Sequence, residues 1–183
     1  MRFPLEVAAA VRKAWPERKP LFVRVSSVED VEGGWSLGDT VALAKELKRV
    51  GVDVIDCSSG GILGSATAAT RTLIPRVPGF QVPFAERIRK EAAMMTMAVG
   101  LILTPQQAEE ALAGGRADLV AIGRGARYDP NWALHAEAEL SAALGARSFK
   151  SWPDQPGWWL ERREPILKQL GPWREGEEPK RIA

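Results

Sequence analysis

The sequence predicts an α/β fold built on parallel strands, and three observations support this prediction. Short apolar runs rich in β-branched residues alternate with longer stretches of helical periodicity. The apolar runs are apolar on both sides of the pleat, which is typical of parallel strands covered by helices. Glycine and proline, which favour turns, occur in the connections between these segments. The 183 residues are enough for one domain with its own core.

The predicted elements follow one another as four βα units. The strands are expected at 20–26, 52–58, 95–102 and 119–123, and the helical patterns lie at 3–15, 37–51, 82–93, 104–115 and 130–140. Thr104-Pro105 predicts a helix start and Gly114-Gly115 a helix end. The connection at 61–79 is long and rich in Gly, Thr, Ala and Pro, and connections of this length are commonly functional or mobile.

Four parallel strands are too few for a complete sheet of this kind. A doubly wound sheet normally has five or more strands, and a closed (β/α)8 barrel, the TIM barrel, has eight. Four strands also leave two open edges, which proteins usually avoid, and the chain opens on a helix. We therefore predict half of a (β/α)8 barrel over 1–145. The pattern breaks down after about residue 142, so 146–183 is predicted to be a tryptophan-rich tail that is partly disordered and packs locally or on another subunit.

Composition and charge exclude several classes of protein. The 25 basic and 23 acidic residues are spread along the chain, without the basic block that would follow a nucleic-acid backbone. A single cysteine, Cys57, excludes an internal disulfide, and no Cys/His cluster indicates a metal site. The apolar N-terminal helix is interrupted by charges, so neither a signal peptide nor a membrane span is expected. These features favour a soluble, cytoplasmic protein.

Glycines begin the loops after the last two predicted strands, at Gly100 and at Gly123-Arg124-Gly125. In (β/α)8 proteins a phosphate often lies between the loops after the last two strands. Glycine lets backbone N–H groups approach an anion, and Arg124 adds a charge-assisted hydrogen bond. The alternative is a plain turn, in which glycine supplies unusual dihedral angles and a surface arginine costs nothing. Two such loops on adjacent strands favour the anion site.

Arg24 lies within an apolar strand, where an unpaired charge is costly. It is expected either to pair with Asp53 or Asp56, or to face the negative charge of a ligand from the strand end. Ser58 is expected either to satisfy backbone groups in its turn or to contact a ligand.

The other reactive side chains are assigned structural roles. Cys57 is expected to be a buried thiol, His135 a structural or surface residue rather than a general base, and Met94, Met95 and Met97 core residues. No catalytic residue is predicted from the sequence.

Six ordered segments resemble the C-terminal half of the old yellow enzyme family of FMN-dependent ene-reductases, in its thermophilic-like bacterial branch. They are RFPLEVAAAVRKAW, LFVRVSS, GVDVIDCSSGG, PGFQVPFAERIRKEA, TMAVGLILTPQQAEEALAGGRADLVAIGR and DPNWALHAEAEL, with a looser match at WPDQPGWWL. The resemblance implies a (β/α)8 barrel with FMN at the carboxyl ends of its strands. Arg24 resembles the arginine beside the flavin pyrimidine edge, Gly123 and Arg124 the pair that holds the FMN phosphate, and Gly100 a residue of the neighbouring phosphate loop. Ser58 is added as a contact at the end of the second strand.

The resemblance also implies an activity, the NAD(P)H-dependent reduction of activated C=C bonds in enones through the flavin. The family's histidine pair that grips the substrate carbonyl, and its proton-donating tyrosine, belong to the other half of the barrel. The chain alone is therefore expected to be poorly active. Gly125-Ala126 and the long loop at 62–77 depart from the family pattern. The alternatives are a non-catalytic half-barrel that pairs with a complementary half or a second copy, and an α/β module that binds a sugar phosphate.

Overall fold

A computed structural model describes residues 1–29, 31–60, 74 and 76–172, so most of the connection predicted at 61–79 and the end of the tail lie outside the described residues. The chain divides into two units, Met1–Arg127 and Tyr128–Ala183. The elements in chain order are α1 (Arg2–Ala14), β1 (Phe22–Ser26), α2 (Leu37–Arg49), β2 (Val54–Ser58), α3 (Val82–Ala92), β3 (Met95–Val99), α4 (Pro105–Ala113), β4 (Leu119–Ala121), α5 (Arg124–Tyr128), α6 (Trp132–Ala143) and α7 (Asp154–Leu170).

The four strands form one parallel sheet in the order β1-β2-β3-β4. The register pairs Arg24 with Asp56, Asp56 with Met97, and Met97 with Leu119. Because neighbours in sequence are neighbours in the sheet, the fold is α/β with four parallel strands alternating with helices, as predicted. This order is consistent with part of a (β/α)8 barrel.

One face of the sheet is buried more completely than the other. Ile55, Cys57, Thr96 and Ala98 on this face are completely inaccessible to solvent, and α3 packs against both β2 and β3. The other face, which we call the open face, is partly exposed to solvent, as expected for a sheet that forms part of a (β/α)8 barrel, in which helices cover only the outer face.

The open face is built of three rows of side chains that run across the strands. Its first row contains Phe22, Val54 and Met95, its second Arg24, Asp56, Met97 and Leu119, and its third Ser26 and Ser58 on β1 and β2 with Val99 and Ala121 on β3 and β4. Phe22, Met95 and Leu119 are 42%, 50% and 37% exposed. On β1 and β2 the first row is thus apolar and the second and third rows are polar, whereas the rows on β3 and β4 are apolar throughout. Met95 is not a core residue, contrary to prediction, whereas Met94 is buried.

Two of the described helices begin with a side-chain cap. Ser36 and Asp39 form a reciprocal capping box at the start of α2, and Thr104 and Gln107 do the same at the start of α4. In each box the two side chains satisfy backbone N–H groups that the first helical turn leaves free. The helix start predicted at Thr104-Pro105 and the end at Gly114 are both confirmed.

The third strand is shorter than predicted. It ends at Val99 because Gly100 and Leu101 have φ angles of 109° and 52°, which are incompatible with a strand. Apolar residues continue to Leu103, and periodicity alone does not distinguish them from the strand. The fourth strand likewise ends at Ala121 rather than at 123.

The sequence pattern breaks down after about residue 142 and does not indicate a helix there, yet α7 spans 17 residues. Three prolines in this segment argue against a helix when the sequence is read alone. Pro153 precedes the helix and Pro156 lies in its first turn, where a missing N–H costs no helical hydrogen bond, whereas Pro165 lies inside the helix. Trp152 packs locally, with its ring 6.3 Å from that of Phe149. A role of the tail in subunit contact stays a prediction.

Candidate functional site

Arg24 forms an ion pair and a second hydrogen bond on the open face. Its Nη1 donates to Asp56 Oδ2 at 3.0 Å, and its Nη2 donates to Ser58 Oγ at 3.0 Å. The two partners are two residues apart on β2, so their side chains project from the same face beside Arg24. The predicted pairing with Asp56 is confirmed. The alternative partner, Asp53, instead lies 3.5 Å from the Arg12 guanidinium at the other end of the strand.

The pairing does not bury the arginine. The side chain of Arg24 is 57% exposed, whereas that of Asp56 is 10% exposed. A guanidinium has five N–H donors, and these contacts use two of them. Arg24 forms no other hydrogen bond with the described residues. Its remaining donors are therefore available to a ligand on the open face.

Gly100 lies in a crowded turn at the carboxyl end of β3. The N–H of Gly79 donates to the carbonyl groups of Gly100 and Leu101 at 3.1 and 3.2 Å. A Cβ atom on Gly100 would lie 2.5 Å from Gln81 Nε2. Both the φ angle and the close approach therefore require glycine at this position.

Gln81 links the ends of two strands, and sequence reasoning missed it. Its Nε2 donates to the carbonyl of Val99 at 2.9 Å, and its Oε1 accepts from Ser59 Oγ at 2.6 Å. The side chain is buried, so it joins the end of β2 to the end of β3 and fixes the turn at Gly100. A glutamine just before a helix carries no sequence signal for this role.

Gly123 and Arg124 follow the carboxyl end of β4, and both are exposed. A Cβ on Gly123 would meet no atom within 4 Å, and neither Gly123 nor Gly125 has a positive φ. Arg124 is exposed and forms no hydrogen bond or ion pair with any residue that the structure describes. The plain-turn alternative explains these glycines by unusual dihedral angles, which they do not adopt. The backbone at Gly123 is open to a ligand.

The sheet brings the predicted site residues to one edge. Val99 and Ala121 are paired neighbours, so the turns at Gly100 and Gly123 follow adjacent strands on the same side of the sheet. Ser26 and Ser58 are paired at the ends of β1 and β2, with Arg24 two residues earlier on β1. The predicted cofactor-binding residues therefore all lie at or near the carboxyl edge, which is the working surface of (β/α)8 proteins.

His135 lies on α6, in the second unit. Its Nδ1 is 2.6 Å from Asp129 Oδ2, and its side chain is 54% exposed. These contacts agree with the predicted structural or surface role. In the described part of the chain, no three His, Cys, Asp or Glu side chains are grouped as metal ligands, and no helix there has the length and apolar character needed to cross a membrane.

Cys57 is a buried thiol, as predicted. Burial, followed by the negative charge of Asp56, raises the pKa of Cys57 to about 12, and a hydrogen bond involving Ser27 opposes this shift. The thiol faces the covered side of the sheet and stays protonated at neutral pH. Nucleophilic chemistry is therefore not expected of it.

The raised pKa of Cys57 predicts a loss of stability at alkaline pH. Above the ordinary pKa of 9.0, the unfolded chain loses the thiol proton while the folded chain keeps it. The free energy of unfolding should then fall by at most about 1.4 kcal/mol per pH unit from this group. Urea unfolding at about pH 8 to about pH 11, with reductant present, checks this. A Cys57→Ala variant should show a shallower slope, and identical slopes would contradict the prediction.

Comparison with known proteins gives consistent matches over most of the chain. The sequence pattern of the NADH:flavin oxidoreductase / NADH oxidase family matches residues 1–142. An NADPH dehydrogenase of Halalkalibacterium halodurans is 43% identical over 143 residues, which are 78% of this chain and 40% of that protein. NADPH dehydrogenases of Geobacillus sp. and Bacillus subtilis are 44% and 42% identical over 145 residues, which are 79% of this chain and 40% of each protein. The chain thus spans about 40% of the length of these relatives.

Proposed function

Because the chain belongs to the NADH:flavin oxidoreductase / NADH oxidase family, also called the old yellow enzyme family, we propose that it is the part of an NAD(P)H-dependent oxidoreductase that binds FMN. In this proposal it corresponds to the last four βα units of the family's (β/α)8 barrel. The family uses FMN with NAD(P)H as reductant, and the chain is homologous to NADPH dehydrogenases. The observation that carries the proposal is the open backbone at Gly123 beside the exposed Arg124.

The residues at the carboxyl edge have the chemistry that FMN requires. A phosphate needs N–H donors and a cation, and Gly123 and Arg124 supply both without a competing partner among the described residues. Gly100, on the adjacent strand end, completes the phosphate side of the proposed site. Arg24 and Ser58 lie on the first two strands, where the ring system would lie, and Arg24 retains donors for an electron-rich ring edge.

Each side chain has a separable role in this mechanism. When bound, FMN supplies hydride transfer from NAD(P)H to the activated C=C bond of an α,β-unsaturated carbonyl compound. Arg124 and the Gly123 backbone bind and orient the phosphate end. Arg24 would supply a positive charge to the ring system, which becomes more negative when it is reduced. Asp56 and Ser58 hold Arg24. None of the described residues is assigned to proton donation or to polarisation of the substrate carbonyl.

The open face favours the further proposal that the chain works with a complementary half-barrel. Phe22, Met95 and Leu119 are partly exposed on a parallel sheet, a face that helices or further strands normally cover. The strands β1 and β4 are edge strands of the described sheet, and closing a barrel would pair both edges. A complementary half would also supply the groups that grip the substrate, so enone reduction by the chain alone is expected to be very slow.

Titration of the purified chain with FMN and with riboflavin tests the proposed function. Riboflavin has the same ring system but no phosphate. We expect FMN to bind and riboflavin to bind at least about tenfold more weakly, because charge-assisted hydrogen bonds to the phosphate contribute about 1.5–3 kcal/mol. Quenching of flavin fluorescence measures both affinities. Absence of FMN binding would refute the cofactor assignment, and binding of a sugar phosphate without flavin would favour the phosphate-binding module.

A further inference from the structure

The carboxylate of Asp56 is buried, and only one of its two oxygens has a hydrogen-bond partner among the described residues. Asp56 lies on the central strand β2 and its side chain is 10% exposed. One oxygen accepts from Arg24, and the other, Oδ1, is buried without a hydrogen-bond partner among the described residues. Burying a half-satisfied carboxylate is costly. An ion pair to a largely exposed arginine offsets little of this cost, because water screens the pair from the arginine side.

The geometry of the contact instead constrains Arg24. An exposed arginine side chain normally samples many rotamers. Here Nη1 is bound by Asp56 and Nη2 by Ser58, each at 3.0 Å, so the planar guanidinium is fixed at two points. Both acceptors come from one strand, whose register with β1 is set by the parallel sheet. The arrangement therefore orients the exposed guanidinium of Arg24, and it requires the burial of the Asp56 carboxylate.

We propose that Asp56 is a positioning residue for Arg24, and that it holds the guanidinium on the open face in the orientation in which Arg24 meets the flavin. This inference rests on the proposed function for its ligand. It does not rest on it for the contact itself, because Asp56 is expected to order Arg24 before any cofactor binds. The two parts are therefore tested separately.

The first test measures the order of Arg24 in the full chain without cofactor. Asp56→Asn and Asp56→Ala both remove the charge, but only asparagine keeps an acceptor for Nη1, so the difference between the two variants reports positioning alone. The nuclear Overhauser effect of the arginine side-chain ¹⁵N–¹H group measures order, and an Arg24→Lys variant assigns the signal. We expect Arg24 to be ordered in the wild type and in Asp56→Asn, and mobile in Asp56→Ala. Equal order in all three would overturn the proposal.

Asp53→Ala is the matched control. Asp53 is on the same segment of chain and lies near another arginine, Arg12, but at the opposite end of the strand. This variant should leave the Arg24 signal unchanged. Loss of Arg24 order in Asp53→Ala as well would show a general loosening of the sheet and would overturn a specific role for Asp56.

Thermal unfolding distinguishes positioning from a structural role. Removal of Asp56 leaves a cation that is exposed, so no buried charge loses its partner. The unfolding midpoint should therefore not fall in Asp56→Asn or Asp56→Ala. A fall in both variants with Arg24 still ordered would identify a structural ion pair and refute the proposal.

The second test adds FMN. Asp56→Ala should bind FMN roughly fivefold more weakly than Asp56→Asn, as expected for one neutral hydrogen bond, and the reduction potential of bound FMN should be lower in Asp56→Ala. Equal affinities and potentials in the two variants would refute the link to the flavin. If the wild type binds no FMN, the proposed function and that link both fail, while the order of Arg24 still decides whether Asp56 positions it.

Discussion

Replacing Gly100 by alanine is expected to lower the free energy of unfolding by about 2–4 kcal/mol. Two effects add. The φ angle of 109° at this position is unfavourable for any residue with a Cβ atom. The new methyl group would also lie 2.5 Å from Gln81 Nε2 and 3.0 Å from Phe80 Cε1. Urea denaturation followed by circular dichroism measures the change.

Gln81 decides the size of this effect, because its amide cannot move aside without loss. It is 4% exposed and bonds at one end to Ser59 and at the other to the carbonyl of Val99. Displacement by a methyl group would leave these buried polar atoms without partners. The substitution should therefore perturb the turn at Gly100 and the ends of β2 and β3 together.

Two other glycines serve as controls for the Gly100→Ala variant. Gly33 has a φ of 72° but open space around the Cβ position, and Gly123 has open space and no positive φ. Gly33→Ala should thus cost about 1 kcal/mol from backbone strain alone, and Gly123→Ala should change stability by less than about 0.5 kcal/mol. If Gly100→Ala costs no more than Gly33→Ala, the crowding argument is wrong.

Replacing Arg124 by alanine is expected to weaken FMN binding by about 10- to 100-fold, the value of a charge-assisted contact to phosphate. Arg124 is exposed and has no partner in the described parts of the chain, so the variant should fold and unfold like the wild type. Fluorescence titration measures the affinity, and thermal unfolding verifies the fold. The loss should be confined to FMN, because riboflavin has no phosphate to lose a contact.

Arg127 provides the matched control for Arg124. It lies three residues further along α5 and is also exposed, so Arg127→Ala removes the same charge from the same short helix. It should change FMN affinity by less than about twofold, the effect of a screened surface charge. Equal losses in the two variants would show general electrostatic attraction rather than a specific phosphate contact. Equal weakening of riboflavin and FMN by Arg124→Ala would likewise contradict the assignment.

Much of the fold could be predicted from the sequence because its signals are local. Helical periodicity located α1 to α4, and Thr104-Pro105 marked a helix start through capping chemistry. The strand positions followed from apolar runs, but their ends did not, since Leu101 and Ile102 continue the apolar pattern beyond the turn. The helix α7 was missed because a proline within a helix contradicts local propensity.

The site shows the same division between local and long-range information. Gly100, Gly123 and Arg124 could be found from the sequence because they directly follow apolar runs. That Asp56 rather than Asp53 pairs with Arg24 depends on strand register, and the link through Gln81 joins residues 18 and 22 positions away. Register and burial arise only when the strands assemble, so no local pattern reports them.

The polarity of the open face affects how a covering surface can be oriented. The first row is apolar, and the later rows contain Arg24 and Asp56 and then Ser26 and Ser58. Suppose that a covering surface is apolar at one end and polar at the other. If its apolar end lay over Arg24 and Asp56, it would remove the ion pair from water without offering new hydrogen bonds, which is costly. The two opposite docking directions therefore differ in the cost of desolvating the side chains of β1 and β2. On β3 and β4 the rows are apolar throughout, so the side chains of β1 and β2 alone distinguish the two directions.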